Sequence, residues 1–206
     1  GGREHHGQEH QNRVIDAVEL RQKDDEHEAQ RPQKGLLQEG AALGLPLAPP
    51  ALAASPAARS LSVLNLHTGE RLAATYWEAG TYVEDALAGL AKVLRDHRTG
   101  ETHAMAPGLL DLVARLQTEF EIAQPVQVIS GYRSPRTNEA LRQSGGGGVA
   151  KRSLHMHGLA MDIRMPGVDL PRLRDAAWGL QAGGVGYYPG SDFVHVDVGR
   201  VRRWAG

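Results

Sequence analysis

Cysteine is absent from the 206 residues of this chain, and aromatic residues make up only 5% of it. Without cysteine the chain can form neither a disulfide framework nor a thiolate metal site, so a bound metal would need histidine and carboxylate ligands. The formal net charge of −1 gives no electrostatic reason to expect nucleic acid or an anionic membrane as a partner. No segment reaches the roughly eighteen unbroken apolar residues of a membrane span. These absences favour one soluble domain.

The first 58 residues differ in composition from the rest. Residues 1–34 are rich in charged residues, Gln and His and poor in large apolar side chains, so we expect a disordered tail without a metal site. Residues 35–58 contain an apolar run that reaches Ala51 and Ala53, a small-x-small pattern typical of cleaved export signals, although a Pro/Ala-rich linker is the alternative. Residues 59–206 are long enough to form one domain with its own core.

Hydrophobic periodicity in residues 59–206 predicts a mixture of strands and helices. Short apolar or alternating segments predict strands at 62–66, 71–77, 126–129, 185–188 and 193–198, the first two joined as a hairpin. Helical spacing of apolar residues predicts helices near 83–94, 107–120, 135–143 and 170–180, and the glycines at 145–148 predict a flexible loop. Because strands and helices do not alternate strictly, the pattern favours an α+β fold with an antiparallel sheet flanked by helices.

Metal-ligand chemistry is concentrated in two stretches, SLHMHGLAMD at 153–162 and DFVHVD at 192–197. Together they offer two imidazoles, a carboxylate ligand and a spare acid, as a zinc site that hydrolyses amides requires. His155 and Asp162 are seven residues apart, so on one regular strand they would face opposite ways and could not share an ion. Gly158 lies between them and can bend the chain without steric cost.

The second stretch alternates between apolar and polar residues. Val194, Val196 and Val198 form an apolar face that predicts packing on the core, so His195 points out of the sheet toward a cleft. Asp192 lies three residues earlier, at the mouth of a Pro-Gly-Ser turn. Irregular backbone there could bring its carboxylate to a metal-bound water as a general base.

The motif order S-x-H-x-x-G-x-A-x-D, followed by acid-x-x-H, resembles that of the D-Ala-D-Ala carboxypeptidase and murein endopeptidase superfamily of zinc peptidases. This superfamily shares its fold with the hedgehog signalling domain. SGYRSPRTN at 130–138 and the strand pair at 184–197 are similar to further elements of this group, so the resemblance covers about residues 60–204. LNLHTGE at 64–70 is similar to the start of the exported murein endopeptidases. The resemblance implies a hedgehog/DD-peptidase-like fold.

By this resemblance, His155, Asp162 and His195 are the ligands of a Zn²⁺ cofactor. Two neutral imidazoles and one carboxylate leave the ion positively charged with an open position, which lowers the pKa of bound water to about 7 and makes hydroxide available as nucleophile. Asp192 stands where many relatives carry Glu, and would pass the water's proton to the leaving amine. Arg133 would brace the oxyanion or grip a substrate carboxylate, with a fold-stabilising ion pair as the alternative.

The remaining histidines and acids of the domain have other expected roles. His157 is interpreted as a non-ligand, and Asp197 either orients an imidazole or caps the strand end. His67, His97 and His103 have no partner at ligand spacing and are interpreted as surface or structural residues.

Three functions stay open at this point. An endopeptidase that cuts peptide cross-links of bacterial peptidoglycan predicts an open groove, whereas a carboxypeptidase that trims a terminal D-Ala predicts a closed pocket with a cation. The third is a zinc-bearing binding module without turnover, against which the acid at Asp192 argues. Both enzymes would act on cell-wall peptides, so we expect a periplasmic or otherwise exported protein with no nucleic-acid partner. The oligomeric state is left open.

Overall fold

The computed structural model describes residues 58–144 and 149–206. These residues form one eight-stranded sheet in the order β3-β2-β1-β4-β5-β7-β6-β8. The strands are β1 Ala58–Asn65, β2 Arg71–Glu78, β3 Thr81–Tyr82, β4 Val126–Ser130, β5 Ala160–Arg164, β6 Gly184–Tyr188, β7 Phe193–Asp197 and β8 Arg202–Ala205. The α-helices are α1 Glu84–Val93, α2 Pro107–Glu119, α3 Pro135–Gln143 and α4 Leu170–Gly179, and two short 3-10 helices are η1 Leu154–His157 and η2 Pro189–Ser191.

The predicted α+β fold with a mostly antiparallel sheet is confirmed. β1 and β2 form the predicted first hairpin, and β6 and β7 pair around η2 as predicted. Two strand pairs are parallel instead, β1 with β4 and β6 with β8. A parallel pair needs a long crossover, which α1 and α2 supply between β1 and β4 and which β7 supplies between β6 and β8. The sequence pattern contained no signal for β3 or β8.

The apolar core lies on one face of the sheet. Alternate strand residues are buried there, namely Leu61, Val63, Val126, Val128, Met161, Ile163, Val185, Val194 and Val196. Helices α1, α2 and α4 pack on this face and add buried apolar residues that include Leu90, Leu109, Leu116 and Leu173. Since strand side chains alternate, the residues between these point to the opposite face, which we call the open face.

The helix starts follow familiar sequence signals. Pro107 begins α2, where the missing N–H of proline costs no hydrogen bond. Before α3, the Ser134 hydroxyl accepts a hydrogen bond from the Thr137 backbone N–H at 3.2 Å. None of the helices in the two described ranges has the length and apolar character of a membrane span.

Three sequence expectations lie outside the described residues. These are the disordered tail at 1–34, nearly all of the signal or linker at 35–58, and the glycine loop at 145–148. They stay predictions, and so does the division of the chain into tail, linker and a peptidase domain at 59–206.

Candidate metal centre

Hydrogen-bond register places the side chains of the open face in rows across the strands, because paired residues lie side by side on one face. The central row consists of Ser130, Asp162, His195, Gly186 and Trp204, from β4, β5, β7, β6 and β8. A neighbouring row, which we call the Asp197 row, consists of Ala160, Asp197, Gly184 and Arg202. Asp162 and His195 are therefore direct neighbours on adjacent strands.

His155 reaches the central row from η1 rather than from a strand. Gly158 follows η1 with φ 65°, and its carbonyl accepts a hydrogen bond from the Ala106 N–H at 2.9 Å. A Cβ at Gly158 would lie 2.1 Å from the Ala104 carbonyl oxygen, so both the backbone conformation and the close approach require glycine. The bend expected at Gly158 is thus present, and it brings His155 beside Asp162.

The structure brings the three predicted ligands together. His155 Nε2 lies 3.2 Å from His195 Nδ1 and 3.3 Å from Asp162 Oδ1, and His195 Nδ1 lies 2.9 Å from Asp162 Oδ1. Tetrahedral zinc with bonds of about 2.0–2.1 Å places its donor atoms about 3.3 Å apart. The three donor atoms can therefore share one ion with little movement.

The second nitrogen of each imidazole is bonded to an oxygen acceptor. His155 Nδ1 donates to the Gly131 carbonyl at 2.8 Å, and His195 Nε2 donates to Asp197 Oδ2 at 3.0 Å. Because each acceptor holds a proton on that nitrogen, His155 Nε2 and His195 Nδ1 are the ring atoms that face the cluster and are available to bind an ion. Of the two roles considered for Asp197, the structure supports the orientation of an imidazole.

Asp197 is itself held by several donors. Its fully buried carboxylate accepts from the backbone N–H groups of Gly184 and Gly199 at 2.9 and 2.8 Å, and from Arg202 at 3.1 and 2.7 Å. A Cβ at Gly184 would lie 2.4 Å from both the Arg202 guanidinium and the Asp197 carboxylate. Glycine at 184 therefore makes room for the ion pair, which sequence reasoning missed.

The electrostatics of the cluster favour a positive charge between the carboxylates. Burial alone would raise the pKa of Asp162, but the adjacent His155 and His195 imidazoles outweigh it and hold that pKa far below its usual range. Burial would lower the pKa of His195, but Asp162 and Asp197 together raise it to about 9. This charge distribution, with two imidazoles and one carboxylate converging, fits a divalent metal ion.

Arg133 lies on the Asp162 side of the cluster, and not all N–H donors of its guanidinium have a hydrogen-bond partner among the described residues. Its Nη2 atom is 3.5 Å from Asp162 Oδ2 and 3.3 Å from Ser130 Oγ, and its Nη1 atom is 3.5 Å from Asn138 Oδ1. Within residues 58–144 and 149–206, the buried Nε atom has no hydrogen-bond partner. These long contacts leave the guanidinium able to bind a further acceptor.

The segment that carries Arg133 is fixed to the loop after α1. The Tyr132 N–H donates to the Leu94 carbonyl at 2.8 Å, and the Ser134 N–H donates to Asp96 Oδ2 at 2.8 Å. Asp96 is buried, so it anchors the residue next to Arg133. Sequence reasoning missed Asp96, because nothing in its spacing relates it to the SGYRSP segment.

Asp192 is placed apart from the three donor atoms. It follows η2 with φ 53°, its side chain is 64% exposed, and its carboxylate accepts a hydrogen bond from Arg164. Only His155, Asp162 and His195 form a cluster of metal-ligating atoms in the described part of the chain, with all three atoms within 4.8 Å of one another.

The other histidines of the described ranges lie outside this cluster. His157 is half-buried on η1 and is not part of it. The rings of His67 and His97 stack with centroids 3.8 Å apart, and His103 stacks on Tyr132 at 4.9 Å. Stacked rings fit the structural role expected for these three residues.

Comparison with known proteins shows the family of the chain. The family described as peptidoglycan L,D-endopeptidase MepK matches residues 53–204. The Escherichia coli K12 protein named peptidoglycan L,D-endopeptidase MepK is 45% identical over 168 residues, which cover 80% of this chain and 92% of that protein. A probable peptidoglycan L,D-endopeptidase MepK from Haemophilus influenzae is 40% identical over 181 residues, covering 86% of this chain and 97% of its own length. The chain therefore belongs to the peptidoglycan L,D-endopeptidase MepK family of peptidases, within the superfamily that its motifs predicted.

Proposed function

We propose that this chain hydrolyses an L,D-peptide bond in the cross-links of peptidoglycan, with zinc held by His155, Asp162 and His195. The observation that carries the proposal is the convergence of three donor atoms, 2.9 to 3.3 Å apart, on the open face of the sheet. The L,D preference rests on the names of relatives that are 40% and 45% identical. Zinc rests on a ligand set of two imidazoles and one carboxylate without thiolate.

The location of the cluster favours an endopeptidase over a carboxypeptidase. Helices α1, α2 and α4 pack on the opposite face of the sheet, so none of them closes a pocket over the central row. A cross-link carries peptide on both sides of the scissile bond, so it needs a site that is not closed at either end. A carboxypeptidase instead needs a closed end around one terminal carboxylate.

The protein residues hold and orient the reacting groups. When bound, zinc supplies a Lewis acid that polarises the scissile carbonyl and lowers the pKa of water. The Gly131 carbonyl and Asp197 fix the tautomers of the two histidine ligands, so the donor atoms are oriented before the ion arrives. Arg133, whose Nη1 and Nη2 atoms make only long contacts of 3.3–3.5 Å, would donate to the carbonyl oxygen as negative charge develops on it.

Asp192 is the proposed proton carrier. Water adds to the carbonyl carbon, the C–N bond breaks, and Asp192 transfers one proton from the water to the leaving amine. Its carboxylate must first move from Arg164 toward the cluster. The exposure of the side chain leaves it free to do so. Arg164 lies two residues beyond Asp162 on the same strand face, which keeps Asp192 near the central row.

The substrate sets where the protein must act. Peptidoglycan lies outside the cytoplasmic membrane, so we propose that the chain is exported, in agreement with the small-x-small pattern at Ala51 and Ala53. Its partner is then the cross-linked peptide itself.

The proposal is tested with two muropeptide dimers that differ only in the cross-link, one L,D and one D,D. We expect the protein to convert the L,D dimer to monomers, a chelator to abolish the reaction and Zn²⁺ to restore it. His155→Ala serves as the inactive control. Cleavage of the D,D dimer alone, or release of only a terminal D-Ala, would reject the proposal.

A further inference from the structure

Trp204 ends the central row, two strands away from His195. Its register partner on β6 is Gly186, which is also the partner of His195 on β7. A Cβ at Gly186 would lie 2.7 Å from the indole ring, so the absence of a side chain there allows Trp204 to lie across the strand. As a result, the indole and the His195 ring approach to 5.2 Å between centroids.

The indole is held in this position by polar and aromatic contacts. Trp204 Nε1 donates to the Tyr188 hydroxyl at 2.8 Å, and the Arg202 guanidinium lies 4.8 Å from the indole centroid. Tyr188 in turn stacks on Phe193 with ring centroids 4.6 Å apart. Trp204 keeps part of its surface exposed, so it is an ordered aromatic surface beside the metal centre.

The proposed metal cluster therefore lies between a cationic side chain and an aromatic side chain. Arg133 flanks Asp162 on one side, and Trp204 flanks His195 on the other. A peptide that ran along the central row with its scissile carbonyl at the cluster would extend about 3.3–3.6 Å per residue. The residue next to the scissile bond would then reach the indole, whose centroid is 5.2 Å from that of the His195 ring. An aromatic face binds aliphatic carbon, whereas a guanidinium binds a carboxylate or a carbonyl oxygen.

We propose that Trp204 is a substrate-binding residue whose indole packs against the aliphatic side chain of one of the two residues that flank the scissile bond. This inference rests on the proposed endopeptidase function. The contact with Trp204 would also orient the substrate. The aliphatic residue beside the scissile bond would lie on the His195 side, and the charged or polar residue would lie on the Arg133 side.

The test uses synthetic L,D-linked peptides in which each flanking residue in turn is either norleucine (in the matching L or D configuration) or glycine. For the flank that contacts Trp204, the Trp204→Ala variant should raise KM about tenfold or more for the norleucine peptide, with kcat changed little. For the glycine peptide at the same flank, wild type and variant should differ by less than about twofold. Trp204→Phe keeps an aromatic face and should recover most of the lost affinity.

The controls separate binding from structure. Trp77→Ala removes an indole near the other edge of the sheet and should leave the preference for norleucine unchanged. Zinc content should be equal in wild type and Trp204→Ala. If Trp204→Ala reduces turnover of both peptides equally, or loses zinc, Trp204 is a packing residue and the proposal is wrong.

Direct binding distinguishes this proposal from the proposed activity. Calorimetry with the same peptides measures the norleucine preference of the zinc-loaded protein, whether or not the peptides are cleaved. A preference that Trp204→Ala removes would support the subsite even without hydrolysis. Equal affinity of the wild-type protein for norleucine and glycine at both flanks would overturn it.

Discussion

His155 Nε2 lies 3.2 Å from His195 Nδ1, although 40 residues separate the two along the chain. One ring is carried by a 3-10 turn and the other by a strand, and the distal nitrogen of each is bonded to an oxygen. The two rings are therefore oriented by the protein without help from an ion. Such preorganisation reduces the ordering that metal binding requires.

The first prediction concerns the proposed zinc ligands. His155→Ala removes one of three donors, so it should weaken zinc binding by more than the 10- to 100-fold typical of losing an outer hydrogen bond. His157→Ala is a matched control on the same turn and should keep the wild-type affinity. Competition with a chromophoric chelator measures both. Equal zinc affinity in His155→Ala would remove His155 from the ligand set.

The second prediction concerns Asp197. Asp197→Asn keeps the shape but removes the charge that pairs with Arg202 and orients His195, so zinc affinity should fall about 10- to 100-fold. Asp175→Asn breaks an exposed pair with Arg174 and serves as the control. Chelator competition is again the measurement. An unchanged affinity would mean that Asp197 has only a structural role.

The third prediction concerns the proposed proton carrier. Asp192→Asn should keep the fold and the bound zinc but reduce kcat by about 10²- to 10⁴-fold. Steady-state kinetics on the L,D dimer, with zinc content measured in parallel, gives the result. Turnover within a few-fold of wild type would assign proton transfer to another group.

The fourth prediction concerns the pH dependence of stability at Asp96. Burial would raise the pKa of Asp96, but hydrogen bonds from Thr137 and from the Ser134 backbone outweigh it and hold the pKa well below its usual range. Because the folded pKa is depressed, this stabilisation is complete above the unfolded pKa of about 3.9 and is lost as the pH falls through the folded value.

Asp96→Asn should therefore lower the free energy of unfolding at pH 7 by about 1–3 kcal/mol, with a smaller difference near pH 3. Urea unfolding at the two pH values measures the difference. Glu139→Gln, in an exposed pair with Arg142, is the control and should change little at either pH. If the difference in unfolding free energy between wild type and Asp96→Asn grew as the pH fell, the prediction would be contradicted.

The fifth prediction concerns the bend at Gly158. Gly158→Ala places a methyl group 2.1 Å from the Ala104 carbonyl oxygen at a positive φ, so the protein should be destabilised and His155 displaced. Gly167→Ala has a similar φ of 77° but open space around it, so it isolates the conformational cost from the clash. Thermal unfolding and zinc affinity report the two effects, and equal losses in both variants would show that the clash is unimportant.

The sequence predicted the parts of the site that depend on local patterns. The odd spacing of His155 and Asp162 required a bend, Gly158 was the residue that could make it, and the valines of β7 fixed the direction of His195. The family resemblance indicated that these elements form one site. The spacing of the residues along the chain could not show this.

The missed residues depend on long-range register. Arg202 and Trp204 matter because β8 pairs in parallel with β6, and a strand of two arginines, a tryptophan and an alanine has no apolar alternation to predict that pairing. The contact of Asp192 with Arg164 likewise follows from the η2 turn, whose conformation the Pro-Gly-Ser sequence does not determine.

Because Asp162 and His195 are neighbours on adjacent strands, the register of β5 and β7 decides whether the two side chains can meet. A slip of one residue between β5 and β7 would rotate one of the two side chains into the apolar core, where it could not meet the other. If the proposed zinc site is correct, only molecules with the correct register bind the ion tightly, and binding in turn stabilises that register by mass action. Metal uptake by the proposed site would therefore report whether β5 and β7 are paired in the correct register, and one chelation titration would measure it.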